Sequence, residues 1–370
     1  MKQRKHSDKI RYAVVGGGWI AQTAFMPGVE HTGNSKLTAL ISGDEGKLRV
    51  LSERYKLRTW SYEQYPQALA SGEFDAVYIS LPNWMHREYA VPALDAGIHV
   101  LLEKPMATLE LDCRAIMAAA ERSGAKLMIA YRLHFEPATL EALRIVHAGE
   151  LGTVRLFSSV FTQYVAGDNH RAANGFWAGP VADMGPYPIN AARMVFGAEP
   201  IEVQASGVHD PALPFDFHDT VAVVLRFPGH RVAQFTVSYA GNPVDQYRVV
   251  GEKGELELAP AYMFGLGLKH RLTIGEKTVE REFPTTDQFG GELHYFSDCI
   301  LHDREPEPNG AEGLADVRII SAIERALVTG EPQKIEGGSS DRQLPDPRQA
   351  ERLPAVKAPE LVDAAAPGEN

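Results

Sequence analysis

The stretch Gly16-Gly17-Gly18-Trp19-Ile20-Ala21 constrains this chain more than any other. It follows a short β-rich run, Arg11 to Val15, and opens a helical segment. The pattern is G-x-G-x-x-A at a strand-to-helix turn. Gly16 permits the tight turn, Gly18 lets the backbone approach a pyrophosphate, and Ala21 keeps the helix close to the sheet. The helix N-terminus, with Trp19 and Ile20 in its first turn, then faces the phosphates. A chain that begins this way is expected to wind strand and helix alternately about a parallel sheet.

The alternation continues. Strands are expected over Leu37–Ile41, Phe74–Leu81, Ile98–Leu102 and Lys126–Ala130, with helices over Glu88–Ala96 and Leu109–Ser123. Such an order implies right-handed crossovers. An NAD site usually carries an acidic residue at the end of its second strand, for the ribose 2′-OH. Here that point reads Ser42-Gly43-Asp44-Glu45-Gly46-Lys47. Ser42, Gly43 and Lys47 suit a 2′-phosphate, whose charge-assisted bonds contribute about 1.5–3 kcal/mol each. NADP is the expected cofactor. In the alternative, Asp44 binds an NAD ribose and Lys47 merely starts an exposed helix. The next strand closes at Leu81-Pro82-Asn83. Asn83 either caps the following helix or touches the cofactor ribose, and His86 is either a ligand or a packing residue.

The run Ile98 to Leu102 leads into Glu103-Lys104-Pro105. Pro105 has no N–H to continue a ladder, so the strand must end there. That leaves Lys104 at a strand's C-terminal edge, where open α/β sheets bind ligands. Lys104 is expected to face a nicotinamide and its substrate; a solvated surface lysine is the alternative.

After Tyr131-Arg132-Leu133-His134 the pattern changes. A helix is expected over Ala138–His147, a β-rich run over Thr153–Val165, and a Gly-, Ala-, Asn- and His-rich loop over Ala166–Pro180. Asp183-Met184-Gly185-Pro186-Tyr187 then opens a helix that stops at Gly197. Period-two segments follow: Ile201–Val208, Thr220–Phe227, Arg231–Tyr239, Gln246–Val250, Gly254–Leu258 and His270–Ile274. They predict an α+β domain with a large open, mostly antiparallel sheet, one face of which suits a second copy in a dimer or tetramer. A last helix, about Gly313–Thr329, places Val317, Ile320, Ile323 and Leu327 on one face. The expected division is an N-terminal extension (1–9), an NADP-binding Rossmann domain (10–131), a substrate-binding and oligomerisation domain (132–336) and an extended or mobile tail (337–370).

Composition narrows the function. A net charge of −11 over 370 residues argues against nucleic acid and anionic membranes. No apolar run reaches membrane-spanning length and no signal-like segment is visible, so a cytoplasmic location is expected. Cys113 and Cys299 form no CxxC pair and read as reduced core thiols. The histidines show no metal-ligand spacing, so no metal is expected.

Four motifs together resemble the Gfo/Idh/MocA family of NAD(P)-dependent oxidoreductases, which act mostly on sugars and cyclitols. They are Gly16-x-Gly18-x-x-Ala21, Leu81-Pro82-Asn83-x-x-His86, Gly97-x-His99-Val100-x-x-Glu103-Lys104-Pro105, and Asp183 four residues before Tyr187. The resemblance covers about Ile10 to Glu336. Within the family the chain resembles the glucose–fructose and aldose–aldose oxidoreductase branch: Ser42-Gly43-Asp44-Glu45-x-Lys47 is similar to its NADP-phosphate loop, and the branch carries tyrosine where many members carry histidine at position 187. The exported member of that branch has a long signal and an N-terminal arm that this chain does not show. The resemblance implies hydride transfer from a sugar C1, with Tyr187 taking the hydroxyl proton and Lys104 as the cation that steadies its anion. Asp183 would orient the sugar or Lys104, and Arg132 would touch cofactor or substrate or hold the domain junction. It further implies tightly bound NADP, reduced by one sugar and reoxidised by a second. The rivals are an aldose 1-dehydrogenase or anhydrofructose-type reductase exchanging free NADP, and a non-catalytic NADP-binding regulator.

Overall fold

A computed structural model describes residues 8–337 and 344–368. Most of the expected N-terminal extension, and positions 338–343 and 369–370 of the expected tail, lie outside the described residues. The described residues form two compact units.

The first unit is built on six strands: β1 (Ile10–Val15), β2 (Ser35–Ile41), β3 (Arg58–Trp60), β4 (Ala76–Ile79), β5 (His99–Glu103) and β6 (Leu127–Ala130). Their order is β3-β2-β1-β4-β5-β6, and every pairing is parallel. The order reverses between β1 and β4, the switch point at which such sheets open a crevice. Strands β4 and β6 are buried at every position, as continuous apolar runs covered on both faces should be.

The second unit carries β7 (Val154–Tyr164), β8 (Glu202–Val208), β9 (Thr220–Phe227), β10 (Arg231–Ser238), β11 (Ala240–Gly251), β12 (Gly254–Leu258), β13 (Lys269–Ile274), β14 (Lys277–Glu282) and β15 (Gln333–Lys334). The sheet runs β14-β13-β12-β11-β7-β10-β9-β8-β15. One pairing, β7 with β10, is parallel, and the others are antiparallel. A parallel neighbour needs a long crossover, which the helix Pro186–Phe196 and the β8–β9 strands provide here. Phe157, Phe161, Val223, Leu225, Phe235 and Val249 are buried, while Val208, Val224, Val232 and Val244 are exposed. The alternation is that of a sheet covered by helices on one face only.

Several expectations need correction. The helix Gln288–Leu301 and the strands β3 and β14 were not expected. Strand β14 is exposed at all of its positions, so it has no apolar alternation to read. The helix Gln288–Leu301 follows the second sheet in sequence but packs in the first unit. Its Leu293 and Phe296 join Tyr12, Phe25 and Tyr78 in one apolar cluster. Ser297 Oγ meets both Tyr12 Oη and Ser35 Oγ at 2.8 Å. The first unit thus takes in Thr286–Leu314 and Glu351–Ala365 besides the residues up to Phe135. A boundary at residues 131/132 divides the two sheets but not the two cores. The tail, expected to be extended or mobile, is docked over 351–365: Asp287 N donates to Leu353 O and Glu351 N to Phe135 O.

In the second unit Arg193 is 1% exposed and spends its guanidinium on two carboxylates. Nε and Nη2 each reach Glu199 at 2.7 Å, and Nη1 reaches the fully buried Asp316 at 2.6 Å. Removing the cation would strand a buried anion. Arg193→Met should therefore cost about 3–5 kcal/mol, measured as the shift in urea unfolding midpoint at constant m-value.

Candidate active site

In the first unit the chain ends of neighbouring parallel strands converge. Gly16 N donates to Ile41 O, Ser42 N to Trp60 O and Ser80 N to Val15 O, so the ladder continues into the loops. Gly16 takes a left-handed φ of 94°, and a Cβ there would lie 3.0 Å from Leu81 Cδ2 and 3.2 Å from Ser80 O. A Cβ on Gly18 would meet nothing within 4 Å. Such an open backbone face at a strand-to-helix turn suits a pyrophosphate. Helical residues 19–31 follow, π-helical over Ala21–Phe25, with Trp19 and Ile20 half-buried in the first turn.

The loop after β2 is fixed by its own side chains. Asp44 caps the helix Glu45–Tyr55, accepting from Lys47 N at 3.0 Å. Asp44 N donates to Ser42 Oγ, and Lys47 Nζ stands 3.5 Å from Asp44 Oδ2. The Lys47 bonds hold the Asp44 carboxyl below the usual range. Gly43 packs on the Tyr62 ring, 3.0 Å from where its Cβ would stand. Ser42, Gly43 and Lys47 therefore sit together at the strand end where an adenosine ribose would arrive.

His86 is 1% exposed, and both ring nitrogens face backbone: Nε2 lies 2.9 Å from Leu81 O and Nδ1 lies 3.1 Å from Pro105 O. Burial pushes its pKa down to about 4, so the ring is neutral and donates one N–H. The side chain braces the Leu81 loop against the Lys104-Pro105 loop. Of the two roles read from the sequence, the structure places His86 in the packing one. Asn83 begins the single turn Asn83–Met85 beside it.

Strand β5 ends at Glu103, whose Oε1 accepts from Tyr78 Oη at 2.6 Å. Burial raises the Glu103 pKa, against the opposing pull of Lys104. Lys104 is half-buried. Arg132 is 5% exposed, donates to Gln288 Oε1 and lies 5.7 Å from the Phe289 ring. His134 is paired with Glu307 at 2.8 Å in the interior. Both therefore belong to the packed base of this unit. Nearby Glu292 is 0% exposed, and neither of its carboxylate oxygens has a hydrogen-bond partner. Burial first, then the Glu103 charge, push its pKa well above the ordinary value, with Arg132 opposing.

The second unit holds Asp183 and Tyr187 one helical turn apart, at the end of Pro180–Asp183 and the start of Pro186–Phe196. Gly185 makes the spacing possible: a Cβ there would stand 2.1 Å from Val181 O. Asp183 Oδ2 accepts from Arg171 Nε and from Tyr239 Oη, each at 3.0 Å. Tyr239 is fully buried, and burial, then Asp183, raise its pKa well above the usual value. The half-buried Tyr187 ring meets Phe161 edge-on at 5.4 Å and Tyr262 at 5.8 Å. Arg171 and Tyr239 were not singled out from the sequence. The only available signal was that Arg171 lies in the 166–180 loop already read as covering a site.

The chain is similar to known proteins in sequence and fold. Residues 10–131 match the model of the Gfo/Idh/MocA oxidoreductase family, NAD-binding Rossmann fold, and residues 139–257 match the Gfo/Idh/MocA C-terminal domain. The chain is 32% identical to a D-xylose 1-dehydrogenase [NADP(+)] of Haloarcula marismortui, over 89% of this chain and 94% of that one. It is similar to the crystal structure of an aldose-aldose oxidoreductase from Caulobacter crescentus complexed with glycerol. That match has 36% identity and a TM-score of 0.83, over 88% of this chain and 99% of the other. The fold is also that of a 3-ketoreductase from Actinomadura kijaniata solved with NADP, at 24% identity, a TM-score of 0.79 and coverage of 86% and 98%.

Glu292 gives a prediction with a definite sign. Its carboxyl keeps its proton in the native chain at pH values where the unfolded chain has released it. Stability must therefore fall as pH rises above the ordinary carboxylate range. Glu292→Gln should flatten the melting temperature between about pH 5 and pH 8 and raise it at the upper end. A slope unchanged from the wild type in scanning calorimetry would show that Glu292 does not hold the proton.

Proposed function

The chain belongs to the Gfo/Idh/MocA oxidoreductase family, and on that premise we propose that it is an NADP-dependent oxidoreductase acting on the CH–OH group of a sugar. The reading is an aldose oxidised at C1 to a lactone, with the hydride passed to tightly bound NADP and on to a second sugar, which leaves as an alditol. The single observation that carries it is the second unit's Arg171–Asp183–Tyr239 cluster beside Tyr187, a polar constellation on an aromatic wall suited to a sugar ring. The glycine loop and the Ser42–Lys47 loop support the cofactor, as do the NADP-dependent relatives.

The cofactor's contribution is that of a hydride carrier. The protein must deal with the proton. A tyrosine hydroxyl near its ordinary pKa of about 10 is a poor base at neutral pH unless a cation stabilises its anion. In this reading Tyr187 accepts the C1-hydroxyl proton, and Lys104 supplies positive charge to the sugar oxygen and to the tyrosinate. Arg171 adds a second cation from within Tyr187's own unit. Asp183, held by Arg171 and Tyr239, orients the sugar. Glu103 and Arg132 hold the base on which Lys104 stands. A homo-oligomer that covers the exposed valines of the second sheet, and a cytoplasmic location, complete the proposal.

A second reading keeps the same residues but lets NADP exchange at each turnover, as in an aldose 1-dehydrogenase; the Haloarcula relative favours it. The two part on purified protein with no cofactor added. Denaturation should release stoichiometric NADP. An undenatured sample given glucose or xylose should show one equivalent of reduced nicotinamide absorbance, reversed by a second sugar. Empty protein that turns over only with added NADP selects the dehydrogenase, and bound nucleotide that no sugar reduces removes both. In either reading Tyr187→Phe should lower turnover about 100- to 10,000-fold while NADP binding, followed by fluorescence, is retained. Near-wild-type turnover would take Tyr187 out of the mechanism.

A further inference from the structure

The segment Glu360–Asp363 near the C-terminus has no role in the chemistry above, yet Gln22 beside the glycine loop and two positions of the helix after the Ser42–Lys47 loop contact it. Gln22, 1% exposed and placed just past the glycine loop, grips the backbone of Val362. Its Nε2 donates to Val362 O and its Oε1 accepts from Val362 N, both at 2.8 Å. The second Nε2 hydrogen goes to Gly17 O, also at 2.8 Å, so the amide is saturated. Arg54 Nη1, from the helix after the Ser42–Lys47 loop, donates to Glu360 O at 2.7 Å. Val362 itself packs against the first unit's apolar cluster, as does Leu48 of that helix.

The third contact is at Gly46. A glycine inside a helix costs roughly 0.5–1 kcal/mol relative to alanine. Here a Cβ at position 46 would stand 2.7 Å from Asp363 Oδ2, so alanine would require the Asp363 carboxylate to turn aside. The Gly46 position and the buried Gln22 amide thus both serve residues more than 300 positions away in sequence.

We propose that residues 360–363 form a strap over the adenosine end of the dinucleotide site, and that its docking slows cofactor release. The proposal rests on the reading that the glycine loop holds NADP. Gln22 is shared: the same amide fixes the Gly17 carbonyl of the loop and the Val362 backbone of the strap. The Ser42–Lys47 loop is bordered by the strap at Gly46. Whatever the strap adds to cofactor affinity, bound cofactor must return to strap docking.

The test uses the full chain with two variants that loosen the strap at different anchors, Val362→Asp and Arg54→Ala. Trypsin cleavage after the exposed Lys357, five residues before Val362, reports docking without any turnover. In the wild type, NADP should slow that cleavage. In both variants cleavage should accelerate, and NADPH dissociation, followed by fluorescence in a chase, should quicken about tenfold or more. Accelerated cleavage with an unchanged dissociation rate overturns the strap. A wild-type chain that binds no NADPH overturns the dinucleotide reading itself, a failure visible before any variant is made.

Discussion

Parallel strand pairing is the constraint on which the first unit depends. Because β1, β2, β4 and β5 run the same way, their ends fall on one edge, and the residues following each end are neighbours however far apart in sequence. Gly16, Ser42, Ser80 and Lys104 are collected in this manner. The backbone bonds from Gly16 to Ile41, from Ser42 to Trp60 and from Ser80 to Val15 then extend the ladder beyond the strands. The loops are thus held by the sheet's own hydrogen bonding. His86 adds a side-chain brace between two of them, at the expense of its ionisation.

The second unit solves a different problem. Asp183 and Tyr187 have to stand a fixed distance apart on a rigid wall. Gly185 allows the backbone to close on Val181 O, Pro186 starts the helix, and Phe161 and Tyr262 support the ring. Asp183 is paired with Arg171 and oriented by the Tyr239 hydroxyl. The polar groups here are all paired, in contrast to Glu292 of the first unit, whose carboxyl has burial and like charge around it and no partner.

How much of this was legible depended on whether the signal was local. The glycine turn, the strand end at Lys104 and the Asp183–Tyr187 spacing are short patterns with a steric reason, and all are readable from a few consecutive residues. Both sheets were legible because one alternates with helices and the other has period two. Arg171 was hidden in a loop with composition but no period. Tyr239 was read as one more strand residue, since the carboxylate that gives it a role lies 56 positions earlier. The helix Gln288–Leu301 was missed although Phe289, Leu293 and Phe296 recur along it. Its partners are in β1 and β4, and no local pattern assigns a late helix to an early core. The tail's low periodicity suggested freedom, but its anchors are backbone bonds to Gln22 and Arg54, which composition does not display.

The return of the helix Gln288–Leu301 to the first core has a bearing on synthesis. The ribosome finishes the six-stranded sheet when Ala130 emerges, yet Leu293 and Phe296, which close the cluster around Tyr12 and Tyr78, are made only after roughly 165 further residues. At about 5–20 residues per second the nascent sheet waits about 8 to 33 s with that apolar face uncovered. The second unit, encoded in between, has all nine strands but β15 in hand before the helix arrives. The first unit is therefore the first to be translated and among the last to be completed, and during that interval a chaperone or a second nascent chain has its best access to the surface that Phe296 will occupy.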